Sequence, residues 1–452
     1  MTDLFGTFGI RGVTNEKVNP ELAMKLGQAL ATHLDNEGKV AVGYDPRTSS
    51  EMIESAITSG LLSGGCDVLR LGMVPTPVLS FSTKNYSCDA GIMITASHNP
   101  PQYNGMKFWD EEGAGFIRDK EDELVEIYSG DKSEQVGWNE LGKTEEVDAV
   151  KKYKNSLLEK VSEFDEELKV VVDCASGAGC VTTPYILREL GCHVVTLNSQ
   201  VDGHFPGRLP EPTSEHLGDL KNAVKSMEAD LGIAHDGDAD RTIMVDENGE
   251  IVSGDRVFAL AGINYLKDID NPRIVTTVAT SSVMDDVAEQ LDGEIERTKV
   301  GEPELVEEYK KNGADLAGEE NGGVIFTDWA MARDGMMTAV QIIDYMTRTG
   351  KTLSELSDTL PDYKQRKRKA ECPNELKQDV LADLTKKFED ENPITKDGLR
   401  IEVEDGWYIL RPSGTEPVFR CFSEAKTDEK SEELVRKGMD ALRDSIEKVK
   451  NS

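Results

Sequence analysis

Apolar positions along the first three quarters of the chain follow two alternating rhythms. Leu22, Leu26, Leu30 and Leu34 fall on one stripe behind Asn19-Pro20, which predicts a capped amphipathic helix. Val40-Ala41-Val42-Gly43-Tyr44 predicts a strand, Ser49 to Leu62 a second helix, and Val68-Leu69-Arg70-Leu71 another strand. Further strand-like runs are Gly91 to Ile94, Lys169 to Val172, Leu231 to Ala234, Thr242 to Val245 and Trp407 to Leu410. Val150 to Val161 is helix-like. In the tail from Ser431 to Val449, Leu434, Leu442, Ile446 and Val449 lie at roughly helical spacing. This alternation predicts α/β domains with largely parallel sheets.

At 452 residues the chain exceeds what one hydrophobic core usually serves, so three or four domains are expected. The polar, acidic stretch from Lys132 to Asp148 predicts the first junction. The hairpin signal Asp246-Glu247-Asn248-Gly249 precedes a further α/β unit that begins near Gly254. The basic segment Lys364 to Lys369, with Pro373, predicts the last junction. The expected domains are therefore 1–147, 148–252, 253–366 and 367–452.

Charge narrows the choice of partners. Acidic residues number 85 and basic ones 51, a formal charge of −34. Such a surface repels nucleic acid and anionic lipid, so neither is an expected partner. The apolar runs stop short of a membrane span, and Met1-Thr2-Asp3-Leu4-Phe5 lacks the features of a secretory signal. A cytoplasmic protein, monomer or homodimer, is the expectation. The seven cysteines are scattered without a Cys-x-x-Cys pair and read as small core thiols. The six histidines show no metal-binding pattern.

Four compact polar signatures stand out against this background. Thr95-Ala96-Ser97-His98-Asn99-Pro100 sets a hydroxyl just beyond a strand end, the edge where ligands of open α/β sheets gather. Ser97 can hold and release a phosphoryl group if metal and cations offset the charge; the bland alternative is a turn that bonds its own backbone. Asp236-Gly237-Asp238-Ala239-Asp240-Arg241 lies between two strands, and small residues at alternate positions let three carboxylates converge. Unpaired they would repel; a hard divalent cation such as Mg²⁺ resolves that. The apolar run Ile243-Met244-Val245 interrupts the pattern a calcium-binding EF-hand loop requires. Arg241 can pair with a phosphate or with an aspartate.

The third signature, Gly318-Glu319-Glu320-Asn321-Gly322-Gly323, offers carboxylate and amide groups that can grip vicinal sugar hydroxyls, or is a plain acidic loop. In the fourth, Arg411-Pro412-Ser413-Gly414-Thr415, a guanidinium, two hydroxyls and exposed backbone N–H groups make an anion cradle, although Pro-Ser-Gly is also common turn chemistry. Gly177-Ala178-Gly179 lacks the third glycine of a dinucleotide loop and reads as a strand-to-helix turn.

Taken together, in this order, the four signatures resemble those of the α-D-phosphohexomutases, the phosphoglucomutase/phosphomannomutase superfamily. The similarity runs from Phe5-Gly6-Thr7-Phe8-Gly9-Ile10-Arg11-Gly12 to Phe419-Arg420 and beyond. It implies three related α/β domains with mixed sheets and a smaller C-terminal α+β domain around a central cleft. It also implies Ser97 as the phosphoserine, with Asp236, Asp238, Asp240 and the Ser97 phosphate holding Mg²⁺. Arg11 and Lys107 match cations near the transferring phosphoryl group, and Lys107 is the candidate general base. Glu319 and Asn321 match a sugar-binding loop in which many relatives have Ser at the latter place. Gly301, in Thr298-Lys299-Val300-Gly301, matches a further substrate loop. Arg411, Ser413, Gly414 and Thr415 match the site of the non-transferring phosphate. Many bacterial relatives have His at the places of Glu302 and Gly323, so sugar preference does not carry over.

The activity so implied is reversible phosphate transfer between O1 and O6 of a hexose phosphate, with a hexose 1,6-bisphosphate as intermediate and primer. Phosphomannomutase/phosphoglucomutase activity is favoured and phosphoglucosamine mutase stands close behind. Two other classes remain at this stage: a Mg²⁺-dependent sugar phosphatase and a non-catalytic sugar-phosphate sensor.

Overall fold

The computed structural model describes residues 5–6, 8–161, 164, 167–413 and 417–451. They form four sheets, each with its own helices. The first three share one strand order. In the first it runs Tyr103–Asp110, Ala90–Ile94, Lys39–Tyr44, Asp67–Met73; in the second, Thr242–Asp246, Leu231–His235, Lys169–Asp173, His193–Leu197. The third repeats it with Val324–Phe326, Leu316–Gly318, Arg273–Thr277 and Glu294–Thr298. Ile10–Val13 and Thr144–Glu146 flank the first of these sheets, and Ile251–Val252 extends the second.

The three sheets are mixed, as the family resemblance implies, and not largely parallel as the alternation of elements suggested. In each, the second strand of that order runs parallel to the third but antiparallel to the first. The reason is loop length. Residues 95–102, 236–241 and 319–323 link those strands, and none reaches the roughly dozen residues that a parallel crossover needs. The chain must turn straight back.

The fourth sheet is antiparallel throughout, in the order Lys364–Glu371, Val418–Ala425, Gly406–Pro412, Leu399–Val403. Helices Lys377–Lys387 and Asp428–Lys450 pack on it around a separate core. The junction expected between residues 366 and 367 falls inside the first of these strands, all of which pairs with Val418–Ala425. That strand lies at the sheet's edge, where a run of lysine and arginine discourages pairing with other chains.

Local rules account for the helices that frame the first sheet. Asn19 Oδ1 accepts from the Leu22 N–H at 3.0 Å and caps helix Pro20–His33. That helix crosses Ser50–Ser63 at a backbone contact: a Cβ at Gly60 would lie 2.1 Å from the Met24 carbonyl oxygen. No other residue fits there.

Two polar junctions bind the domains together. Phe81, Tyr153 and Trp329, one from each of the first three units, meet in edge-to-face and tilted contacts with ring centroids 4.9–5.4 Å apart. Tyr153 and Trp329 both donate to Asp334 Oδ2, at 2.6 and 2.9 Å, while Asp334 Oδ1 caps helix Gly335–Thr349. Between the third and fourth units, Gln365 donates to both Asp255 and Glu424, and Trp407 Nε1 donates to Glu424 at 2.9 Å.

Burial pushes Asp255 up to about 7, against the Ser281 N–H and Lys367, with Glu320 and Glu424 adding to the rise. The folded chain therefore holds this proton more tightly than the unfolded chain. The resulting stabilisation is complete at acid pH, below the ordinary carboxylate range, and is lost as pH rises towards 7. Asp255→Asn is accordingly expected to be more stable than the parent at pH 8 by about 1 kcal/mol, or roughly 2–4 °C in Tm. The advantage should shrink at pH 5. An advantage independent of pH, measured by thermal unfolding at both, contradicts a protonated Asp255.

Candidate active site

Ser97 lies in the first of the three short loops, at φ +50°, a backbone region that residues with a Cβ seldom adopt. The loop is held there from inside. Arg47 donates to the carbonyl oxygens of Ser97, Asn99, Pro100 and Tyr103 at 2.7–2.9 Å. Its Nε bonds buried Asp45 at 3.0 Å, and Asp45 also accepts from Thr95 Oγ1 at 2.6 Å. The Ser97 N–H in turn donates to Thr95 Oγ1 at 2.8 Å. A conformation of this cost persists only when its surroundings over-determine it.

The second loop meets the first directly. Ser97 Oγ donates to Asp236 Oδ2 at 2.8 Å. The approach needs glycine at 237, where a Cβ would lie 2.6 Å from the Ser97 carbonyl oxygen. Lys107, buried on strand Tyr103–Asp110, donates to Asp238 Oδ2 at 3.1 Å and lies 3.5 Å from Asp240 Oδ2. Thr76 Oγ1 donates to the same Asp238 oxygen at 2.7 Å. Ligand atoms of Asp236, Asp238 and Asp240 fall within 4.8 Å of one another. Arg241 Nε lies 3.7 Å from Asp240 Oδ1, and Arg11 Nη1 donates to Asn99 Oδ1 at 3.4 Å.

The third loop joins the second through Arg333. Its Nη2 is 2.6 Å from Asp240 Oδ2 and 3.0 Å from Glu302 Oε2, and its Nη1 is 2.9 Å from Glu319 Oε2. Glu319 Oε1 accepts from the Gly301 N–H at 3.1 Å, which ties in the 298–301 turn. Asn321 spends its Oδ1 on the Gly323 N–H at 3.0 Å and its Nδ2 on Glu319, 3.4 Å away. The fourth loop is reached through Asp397, whose Oδ2 accepts from both the Val300 N–H and Arg411 Nε. Arg411 belongs to strand Gly406–Pro412, not to the turn; Ser413 follows it and is buried. Gly414 and Thr415 lie outside the described residues.

Comparison with known proteins covers nearly the whole chain. Domain models described as phosphoglucomutase/phosphomannomutase match in order: alpha/beta/alpha domain I over 2–135, domain II over 147–249, domain III over 253–363, and the C-terminal domain over 368–441. The chain belongs to the phosphoglucomutase/phosphomannomutase family. A phosphoglucomutase/phosphomannomutase of Thermococcus kodakarensis is 43% identical over 457 residues, which cover 99% of this chain and all of the relative. A probable phosphoglucosamine mutase of Pyrococcus abyssi is 42% identical, covering 99% of this chain and 100% of its own. The crystal structure of a family protein from Burkholderia thailandensis superposes with a TM-score of 0.88 at 28% identity, covering 99% of this chain and 97% of that one. This phosphohexomutase is thus an enzyme of the isomerase class, an intramolecular phosphotransferase. No helix among its described residues is long and apolar enough to cross a membrane.

The phosphohexomutase cleft has unused bonding capacity of two kinds. Asp238 Oδ1 and Asp240 Oδ1 are buried acceptors without a hydrogen bond among the described residues, and Arg11, Arg241 and Arg333 each keep an Nε without one; Arg241 Nε and Asp240 Oδ1 meet only at ion-pair distance, 3.7 Å. Acceptors fit a hard cation and donors fit an oxyanion, so the residues suit a metal ion next to a phosphate. The carboxylates differ sharply. Burial, Asp240 and Asp238 push Asp236 well above its usual range. Burial raises Asp238 too, but Lys107, Thr76 and Arg11 outweigh it and leave its carboxyl well below the ordinary range. Burial, Arg241 and Arg11 push His98 down to about 2, so its ring is neutral at Ser97.

Four residues of this site carry no local signature: Arg47, Thr76, Arg333 and Asp397. Most of their partners lie far away in sequence, up to more than a hundred residues; the near ones are Asp45 for Arg47, Arg411 for Asp397 and Glu319 for Arg333. Only the buried Asp45-Pro46-Arg47 triplet between a strand and a helix hints at a structural ion pair. Arg47→Met leaves Asp45 buried without its partner, which typically costs about 3–5 kcal/mol. Urea unfolding should show that loss; a cost below about 1 kcal/mol contradicts the pair's role in holding the Ser97 loop.

Proposed function

We propose that this chain interconverts the 1- and 6-phosphates of an aldohexose through a phosphorylated Ser97, with Mg²⁺ held by Asp236, Asp238 and Asp240. The observation that carries the reading is the 2.8 Å hydrogen bond from Ser97 Oγ to Asp236, inside a carboxylate triplet with unsatisfied oxygens. When bound, the cation supplies charge neutralisation to the transferring phosphoryl oxygens.

In the forward half, the free hydroxyl of the sugar phosphate attacks phospho-Ser97. The P–Oγ bond breaks, a new P–O bond forms to the sugar, and Lys107 takes the hydroxyl proton. Arg11 and Arg241 offset the charge of the phosphoryl group, and Lys107 adds to it once it carries the proton it has taken. The bisphosphate turns over in the cleft and returns its other phosphate to Ser97, with the proton restored to the oxygen that departs. Glu319, Asn321 and Gly301 orient the sugar. Arg411 and Ser413, with Gly414 and Thr415, hold the phosphate that is not reacting. Asp397 occupies Arg411 until that phosphate arrives. Four domains bounded near residues 147, 252 and 363 enclose the site in a cytoplasmic enzyme.

Sugar identity turns on C2, where glucose, mannose and glucosamine differ. The relatives' names divide between phosphoglucomutase/phosphomannomutase and phosphoglucosamine mutase. Glucose and mannose phosphates are the favoured substrates. A side-by-side comparison should give a higher kcat/KM on glucose or mannose 1-phosphate than on glucosamine 1-phosphate; the reverse order reassigns the substrate. Steady release of inorganic phosphate without isomerisation would mean a phosphatase, and neither activity a sensor.

Two further outcomes test the chemistry. Intact-mass analysis after treatment with glucose 1,6-bisphosphate should show one added phosphoryl group that Ser97→Ala lacks; an unchanged adduct removes Ser97 from the mechanism. Asp238→Asn should lower kcat by about 10²-fold or more, and near-parental turnover contradicts the cage.

A further inference from the structure

Three carboxylates from three separate segments converge on one guanidinium. Arg333 stands just before helix Gly335–Thr349, its side chain only 5% exposed. One nitrogen, Nη2, reaches both Asp240 of the aspartate loop and Glu302 at the start of helix Glu302–Asn312, while Nη1 reaches Glu319 of the third loop. Its backbone cannot drift. The next residue, Asp334, takes hydrogen bonds from Tyr153 and Trp329, and Thr242 Oγ1 donates to the Gly335 carbonyl at 2.7 Å. The second and third loops are also joined directly, the Thr242 N–H donating to the Gly322 carbonyl at 3.1 Å.

The neighbouring loop is cut away to admit this side chain. A Cβ at Gly323 would lie 2.3 Å from Arg333 Cδ, so the arginine crosses the loop where any other residue at 323 would stand. Its backbone φ is not in the left-handed region, so the need for glycine here is space alone.

We propose that Arg333 is a positioning residue that sets the aspartate cage and the sugar loop relative to each other, so that metal affinity and sugar binding depend on the same side chain. The physical basis is the fork of the guanidinium. A planar cation with several fixed donors can hold three carboxylates at defined places, whereas an ammonium presents a point charge and cannot span them. Asp240 Oδ2 is anchored chiefly by Arg333 at 2.6 Å, with Lys107 further off at 3.5 Å, and this leaves Oδ1 for the cage. Glu319 is held by Nη1 together with the Gly301 N–H and Asn321, and Nη1 is its only charged anchor among the described residues. Loss of one guanidinium therefore disturbs both sites at once. The inference rests on the proposed reading for the roles given to Asp240 and Glu319.

The test pairs binding with turnover. Arg333→Lys keeps the charge and should weaken Mn²⁺ binding, read by electron paramagnetic resonance on resting protein, by about 10-fold. It should also raise KM for glucose 1-phosphate and lower kcat by about 10-fold each. Gly323→Ala should reproduce these changes by displacing the intact arginine, yet add nothing in an Arg333→Ala background. Unaltered Mn²⁺ affinity in Arg333→Lys, or additive effects of Gly323→Ala and Arg333→Ala on that affinity, overturns the inference. The Mn²⁺ measurement needs no turnover, so it still decides the question if the parent protein isomerises no hexose phosphate and the mutase reading falls.

Discussion

The hydrogen bond between Ser97 and Asp236 joins two sheets that share no strand, and the remainder of the cleft depends on it. It places a hydroxyl against a group of buried carboxylates that could not remain there unaided. Taking one such ion out of water costs several kcal/mol, and clustering three adds mutual repulsion. Lys107, Thr76 and Arg333 offset part of this cost from three sides. They do not satisfy everything. Oxygens of Asp238 and Asp240 are left over, beside arginine nitrogens that are left over as well. That surplus is what distinguishes a site prepared for a cation and a phosphate from a finished structural ion-pair network.

The position of the loops has one topological cause. In the first three sheets, a parallel strand ends, a short loop follows, and the chain returns antiparallel. The serine loop, the aspartate loop and the glutamate loop occupy that same place in their respective sheets. Strand Gly406–Pro412 pairs antiparallel with Val418–Ala425, the next strand of the chain. A tight return at a strand end leaves backbone and side chains projecting beyond the sheet, where they can meet those of another domain. Three copies of one arrangement, packed about the Phe81–Tyr153–Trp329 contact, bring Ser97, the aspartate triplet and Glu319 to adjoining positions.

What could be read in advance follows from how far each signal extends along the chain. The Asn19 cap and its leucine stripe are local, and helix Pro20–His33 has the expected form. The alternate spacing of Asp236, Asp238 and Asp240 is equally local, and their oxygens do converge. The family resemblance implied the mixed sheets that are found, whereas the alternation of elements alone suggested parallel ones, because periodicity cannot tell a returning strand from a crossover; the loop lengths decide it. Thr144–Glu146 is exposed on every residue and gave no apolar signal, so a strand lay hidden in a stretch read as a junction. Lys364 to Lys369 reads as a polar linker yet forms an edge strand of the fourth sheet, because edge protection has the same polar pattern. Arg47, Thr76 and Arg333 were invisible because their meaning lies in partners brought near only by folding.

The central claim is that phosphate on Ser97 sits against a metal held by the aspartate triplet, and ³¹P magnetic resonance of the phosphorylated protein tests it most directly. Titration with paramagnetic Mn²⁺ should broaden the phosphoserine signal beyond detection at about one equivalent, and Asp238→Asn should restore a visible line at the same concentration. A signal that stays sharp in the parent protein once Mn²⁺ is shown to be bound would place the cation away from Ser97 and contradict the account.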